Sequence, residues 1–441
     1  MIDGRNRTWR EAMTTATLAI AALSPVSAGA GGLFLYEFGT AEPGLAAAGY
    51  AARAQDASTA FTNPAGMTRL DGTQVLAGGQ VMWLNTEFSI DAETSPGLGS
   101  NNGGRALGWN GYVPGGSAFL THRVSPDLAV GFAVAGNVGS MLDYDDDWVG
   151  RYRVQDGDLL GISVMPSIAY QLNQKLSLGA GINAMYGIFD QKVAVNNALP
   201  SLDDGRLEID DSTWGWGGNV GVLYEPRPGT RLGLTYTSAI DLDFIGRAKF
   251  SNLGPILTAL LQSRGLLDAR IDMGATVPQQ VMGSYYAEIG ERWALMGNVG
   301  WQDWSEFGEV EIGIANTQDP TSLSSPLSFD DTWHVAVGAQ YRMNDRWKAN
   351  LGLAYDTGFQ EDDDVSPLFP VNAAWRFGAG AERQASDSFK WGFTGEVLYG
   401  GNIDVDKRST LPPVLGGRGD LVGGYDQALS VVFTVYGNWT L

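Results

Sequence analysis

The sequence predicts an all-β protein, a fourteen-stranded antiparallel transmembrane β-barrel with an N-terminal plug, or hatch, and short helices in its extracellular loops. Fourteen stretches alternate apolar with polar or small residues at a period of two, and single-chain bacterial barrels carry an even strand number. Aromatic residues close the ends of the apolar rows, about one bilayer thickness apart for strands of ~9 to 11 residues. Composition agrees: the 60 Gly keep an inner wall small, and the 14 Trp and 16 Tyr suit interfacial girdles. A soluble sandwich also alternates, so strand length and the terminal aromatics carry the choice.

Taken in order, residues 1–30 read as an export signal, with arginines first, an uncharged run from Ala12 to Leu23, then Pro25 and small residues. Cleavage is expected after Ala28 or Ala30. Beyond it no window approaches the ~18 to 20 apolar residues of a spanning helix, and mean hydropathy is -0.09. Residues 31–70 form the hatch: Ala, Gly, Ser and Thr dominate from Gly44 to Ala60, and Asn63-Pro64-Ala65-Gly66 breaks the chain because Pro64 has no amide hydrogen. Such a stretch packs tightly inside something.

Residues 71–441 are the barrel. Strands are expected near 73–85, 116–124, 127–138, 159–172, 175–190, 206–225, 230–245, 278–290, 292–312, 330–343, 347–357, 372–385, 388–403 and 426–441. In 333–341, for instance, Trp, Val, Val, Ala and Tyr share one face and His, Ala, Gly and Gln the other. Short turns such as 172–175, 225–229 and 343–346 would face the periplasm. Long insertions such as 191–205 and 404–424 would face outside. From Ser251 to Arg270 the period changes to that of a helix, with Leu253, Ile256, Leu257, Leu260 and Leu261 on one face and Pro255 in the first turn. That helix is either packed on its own barrel or a capture surface for hydrophobic ligand.

The absence of cysteine excludes disulfides, thiol catalysis and Cys-ligated metals, and a formal charge of -21 argues against nucleic acid. His122 and His334 lie in different strands, and no G-x-S-x-G or H-E-x-x-H occurs. We therefore expect no enzyme, no cofactor and no structural metal. The acidic runs Asp143–Asp147 and Glu361–Asp364 read as solvated outer loops, with divalent-cation binding as the alternative. Phe34, Leu35 and Phe38 are candidates for a lumenal ligand pocket, with Arg151 either holding a carboxylate there or pairing with Asp143, Asp145, Asp146 or Asp147. Asp56 is expected to hydrogen-bond hatch backbone, including the Ser58 amide. In the third strand Leu128, Val130, Phe132 and Val134 give way to Gly136-Asn137-Val138-Gly139, which marks a bulge or bend.

The segment Gln55–Met67, QDASTAFTNPAGM, resembles the hatch of the FadL family of outer-membrane transporters of long-chain fatty acids and other hydrophobic compounds. Trp148–Tyr152, Pro166–Tyr170, Leu176–Gly181, Thr230–Ser238, Val277–Gln280, Trp301–Ser305 and Asp331–Trp333 continue the likeness in order. The resemblance implies a plugged fourteen-stranded barrel in a Gram-negative outer membrane, surrounded by lipid and lipopolysaccharide and working as a monomer. It implies ligand-gated diffusion of hydrophobic molecules and a lateral opening next to the hatch; we expect hatch gating at Asp56, Asn63, Pro64 and Ala65, capture on the helical face of Ile256, Leu257, Leu260 and Leu261, and lateral release at Gly136, Asn137 and Gly139, with Asn63–Ala65 beside the kink. The C-terminal Leu441 departs from the usual aromatic end, and the likeness leaves fatty acid and hydrocarbon both open as ligands. The alternatives are a general water-filled porin and an outer-membrane lipid-modifying enzyme.

Overall fold

In the computed structural model the described residues are 33–85, 87–94, 104–105, 111–197, 202–308, 313–315, 329–361, 365–409 and 418–441. The expected signal segment and most of the second acidic run lie outside them. The wall strands are β1 (Thr73–Asn85), β2 (Tyr112–Ser125), β3 (Leu128–Asp143), β4 (Asp156–Asn173), β5 (Leu176–Val195), β6 (Gly205–Arg227) and β7 (Thr230–Thr237). They continue as β8 (Gln280–Ile289), β9 (Trp293–Gln302), β10 (Thr332–Arg342), β11 (Trp347–Asp356), β12 (Ala374–Ser386), β13 (Phe389–Lys407) and β14 (Leu421–Thr440). Each pairs antiparallel with the next, and β1 pairs with both β2 and β14, so a closed fourteen-stranded barrel results. Closure through β1 and β14 pairs the two terminal strands, so the sheet has no free outer strand.

The barrel is apolar outside, and its interior holds buried polar side chains beside apolar ones. In β10, Trp333, Val335 and Val337 are 50%, 48% and 59% exposed, while the intervening His334 and Ala336 are buried. Thr394 and Thr434 are fully buried on the inner face. Rings pair across strands at both ends: Trp293 meets Tyr341 at 4.5 Å between centroids near the short turns, and Tyr355 meets Trp375 at 5.0 Å near the long loops. Along β10, Tyr341 and Val335, the register partner of Tyr355, stand six residues apart, about 20 Å at ~3.4 Å each.

Several expected boundaries move. The strand expected at 127–138 runs to Asp143 and that at 175–190 to Val195. The alternation over 230–245 belongs to two sheets: β7 ends at Thr237, and Ile240–Arg247 pairs with Arg270–Val277, which in turn pairs with Gly313–Ala315. Ile240, Leu242 and Phe244 are buried, so the period was genuine but its face packs inside rather than on lipid. The segment 292–312 stops at Gln302 and turns into a 3-10 helix, Trp304–Gly308. β13 and β14 extend past the membrane to Lys407 and from Leu421, shortening the 404–424 insertion. β2 starts at Tyr112 rather than 116, because Pro114 masks a strand in sequence.

Residues 33–70 fill the lumen and are almost all buried. They hold one turn of 3-10 helix (Pro43–Leu45), the short helix α1 (Thr59–Thr62) and a second 3-10 stretch (Pro64–Arg69). Inward glycines admit them. A Cβ on Gly233 would stand 2.0 Å from the Ala51 carbonyl oxygen, and one on Gly352 would stand 1.9 Å from the Leu45 carbonyl carbon. Any larger residue there would expel the hatch backbone.

Candidate ligand pathway through the barrel wall

The seam between β2 and β3 is incomplete. Their pairing runs only from Ser125 opposite Leu128 to Ser117 opposite Ala135. Beyond it, Tyr112–Gly116 pairs with β1 alone, and Gly136–Asp143 pairs with β4 alone. The register slips between Gly136 and Val138, extruding Asn137 as a bulge, as glycine-flanked strands do. Asn137 is buried and lines a small chamber of mixed polarity with Asn183, Asn219, Gln280, Phe61 and Met165.

The hatch tail covers this edge. Phe34 forms a bridge with Val138, the Leu35 amide donates to the Asn137 carbonyl at 2.9 Å, and the Gly139 amide donates to the Leu33 carbonyl at 3.1 Å. Beside the tail lies an apolar cavity of about 350 Å³. Phe34, Leu35, Met82, Val138 and Leu398 form its walls, and Pro114, Gly136 and Ile162 stand where it reaches the unpaired seam. Ile162 is 38% exposed on the outer surface, so the space leads from the lumen toward lipid. A Cβ on Gly136 would touch nothing within 4 Å.

Other expected site residues lie elsewhere. Phe38 is fully buried against Tyr50, Phe61 and Phe119 in the hatch core and does not line the cavity. Arg151 belongs to the outer loops: its Nε donates to Asp204 at 2.8 Å, its Nη1 to the Trp148 carbonyl at 3.2 Å, and its Nη2 to the Tyr152 hydroxyl at 3.0 Å. Among the described residues it forms an ion pair with Asp204, because the turn after β3 and the end of the loop before β6 meet there. Burial, with donation to Asp204, pushes the Tyr152 hydroxyl up to about 12.

Asn63–Ala65 does not stand beside the kink. A Cβ on Gly179 of β5 would meet the Ala65 nitrogen at 2.2 Å, and one on Gly221 of β6 would meet Asn63 Oδ1 at 2.0 Å. Asn63 ties hatch to wall: Nδ2 donates to Ala51 and Val222 carbonyls at 2.7 and 3.1 Å, and Oδ1 accepts from the Ala65 amide at 3.1 Å. Asp56 Oδ1 accepts from the Ser58 amide at 3.1 Å and its hydroxyl at 2.5 Å, while Oδ2 faces Arg53 at 3.4 Å. Arg53 also pairs with Glu42.

The expected capture helix is α2 (Pro255–Ser263), with no buried residue. Ile256 and Leu260 are 63% and 46% exposed, whereas Leu257 and Leu261 are half-buried. None of the four lines the cavity.

Sequence reasoning missed one cluster. Arg376 of β12, at the cavity's inner end, donates through Nε to Asp356 and through Nη1 to Glu37 of the hatch, with Glu396 at 3.7 Å. His334 Nδ1 lies 2.5 Å from Asp356, and Tyr36 lies over the His334 ring at 4.6 Å. The available signal was ionisable residues on the inward rows of neighbouring strands, which a polar barrel interior permits and which therefore did not single out this group.

A closed wall with one breached seam, a filled lumen and an apolar cavity reaching the breach define an outer-membrane transport barrel. A family model described as "Outer membrane protein transport protein (OMPP1/FadL/TodX)" matches residues 21–394. The chain belongs to that family. It is 28% identical over 372 residues to a long-chain fatty acid transport protein of Escherichia coli, covering 78% of this chain and 81% of that one. Against outer membrane protein P1 of Haemophilus influenzae it is 26% identical over 392 residues, covering 80% and 83%. Among solved structures, a Pseudomonas aeruginosa FadL homologue superposes with a TM-score of 0.81 at 20% identity, over 93% of this chain and 99% of that one. The Ralstonia pickettii toluene transporter TbuX gives 0.65 at 16% identity, over 92% and 98%.

Proposed function

We propose that this barrel takes up hydrophobic small molecules, long-chain fatty acids or related compounds, and releases them sideways into the outer membrane. The carrying observation is the cavity that joins the hatch tail to the unpaired β2–β3 seam. Ligand is captured at the exposed Ile256 and Leu260, enters beside Phe34 and Leu35, and leaves past Gly136, Asn137 and Gly139. Lateral exit keeps apolar surface out of the aqueous periplasm, where exposure costs ~25 cal/mol per Å². The hatch stays fixed through Asp56, Asn63, Pro64 and Ala65 while the tail moves. A general porin fits poorly with a lumen occupied by residues 33–70, and no step requires catalysis. The protein acts as a monomer among outer-membrane lipid and lipopolysaccharide.

Gly136→Phe tests the route, since Gly136 lines the cavity and a Cβ there meets nothing within 4 Å. Cells lacking the native gene and carrying this variant should show a normally heat-modifiable barrel and uptake of a labelled hydrophobic compound at the background of the empty strain. Uptake at the wild-type rate would remove the seam from the pathway.

A further inference from the structure

We propose that residues 365–373 form a strap, clasped by Gln360, through which hydrophobic molecules enter the cavity from the outer loops; this rests on the uptake reading above and gives it an entrance separate from the seam. Among the described residues that line the cavity, all but two short stretches belong to wall strands. Those strands are held by their ladders, and moving one breaks several backbone hydrogen bonds at once. The exceptions are the tail at Leu33, Phe34 and Leu35, already placed at the exit, and Pro370, Val371 and Asn372, just before β12.

The strap is neither helix nor strand. Pro367 and Pro370 carry no amide hydrogen, and one side chain fastens much of the backbone that remains. Gln360 Nε2 donates to the Phe369 and Val371 carbonyls at 2.8 and 2.9 Å, and its Oε1 accepts from the Ser366 amide at 2.8 Å. Gln360 is itself buried. The Tyr144 hydroxyl adds a further bond, to the Pro367 carbonyl at 2.8 Å. Two internal bonds, from the Phe369 amide to the Ser366 carbonyl at 2.9 Å and from the Val371 amide to the Phe369 carbonyl at 2.7 Å, travel with the strap. A segment fastened by side chains opens locally, without unzipping its neighbours.

What lies on each side sets the direction. Phe369 packs on Phe307 and Phe329 at 5.8 and 6.4 Å between centroids, and Trp304 joins them through Phe307. The same buried cluster takes in Ile271 and Met273, from the hairpin whose connection carries α2. One residue further along the strap, Pro370 lines the cavity. The strap therefore stands between the apolar interior reached from the capture helix and the space that reaches the seam. A ligand crossing there stays among apolar side chains and is spared exposure to water.

The test uses the absence of cysteine. A Leu398→Cys change places one thiol on the cavity wall, and its labelling in intact cells by N-phenylmaleimide, a neutral apolar reagent, reports entry. Gln360→Leu on that background removes three hydrogen bonds, each worth a factor of roughly five to the closed strap, and labelling should quicken about tenfold or more. In Gly136→Phe on the same background labelling should persist, because the reagent comes by the strap and not by the seam. An unchanged rate in a heat-modifiable Gln360→Leu barrel would overturn the clasp. Labelling abolished by Gly136→Phe would make the seam the entrance and overturn the strap, whether or not the Gln360 variant folds. If the thiol is never labelled in the folded Leu398→Cys parent, the cavity is closed to apolar molecules and the uptake reading fails together with the proposal, a result distinct from the other two.

Discussion

Locking the tail to the wall isolates the gate from the rest of the barrel. Phe34 and Val138 are directly opposed across an antiparallel bridge flanked by the Leu35–Asn137 and Gly139–Leu33 hydrogen bonds, which makes them a non-hydrogen-bonded pair. Such pairs hold their Cα atoms ~4.5 Å apart, within the ~4.4 to 6.8 Å of a disulfide, and the chain has no other cysteine to compete. In the native protein two backbone hydrogen bonds at ~1 kcal/mol each and the burial of Phe34 at ~2 kcal/mol hold the tail. The sum, about 4 kcal/mol, closes the gate roughly a thousandfold over the open state. A ligand that replaces the apolar contacts of Phe34 cancels about half of that free energy and raises the open population roughly thirtyfold. A Phe34→Cys/Val138→Cys disulfide removes the open state altogether. Uptake of a radiolabelled hydrophobic compound by whole cells should fall to background when the pair is oxidised and recover with reductant. Wild-type uptake by a fully oxidised barrel, verified by thiol labelling, would refute the reasoning.

Replacing Arg53 with Met leaves Glu42 and Asp56 buried without their cation, which costs ~3–5 kcal/mol for a buried ion pair broken on one side. The hatch should loosen, and planar-bilayer conductance to small ions should rise above that of the wild type. Changing Ile256 and Leu260 together to Ser should leave barrel melting unchanged, because both side chains already face solvent. Uptake at limiting ligand should nonetheless slow, with the wild-type rate regained at saturating ligand.

Strand number, the lipid face and the position of the bulge were legible in sequence, because a membrane wall exposes the period of two without interruption. Trp333, Val335 and Val337 are read directly as the outer row. Ile240–Arg247 was not, since its alternation is just as regular while its apolar face packs on the inside of β5 and β6. A two-residue period reports that one face is buried, not in what. Arg151 illustrates a second limit: a cation near an acidic run suggests a local partner, yet Asp204 arrives from another loop. The Arg376 cluster depends on four strands and the hatch converging, a contact that no linear pattern carries. His334 was placed on the polar row, but nothing along the chain linked it to Glu37.

The breach itself raises a physical question, because a strand edge open to lipid leaves amides and carbonyls unsatisfied at several kcal/mol each. The two sides answer it differently. On β2 the segment with one neighbour contains Pro114, which has no amide to satisfy. On β3 the bulge shortens the exposed ladder, and the Asn137 carbonyl and Gly139 amide are met by Leu35 and Leu33. The tail is thus the missing strand partner of β3 as well as the wall of the cavity. Whatever displaces it must compensate two backbone groups as well as apolar area, which a hydrocarbon chain alone cannot do. Opening is therefore expected to be brief, with water or Asn137's own side chain serving those groups, and the seam to close again as soon as the ligand has passed into the lipid.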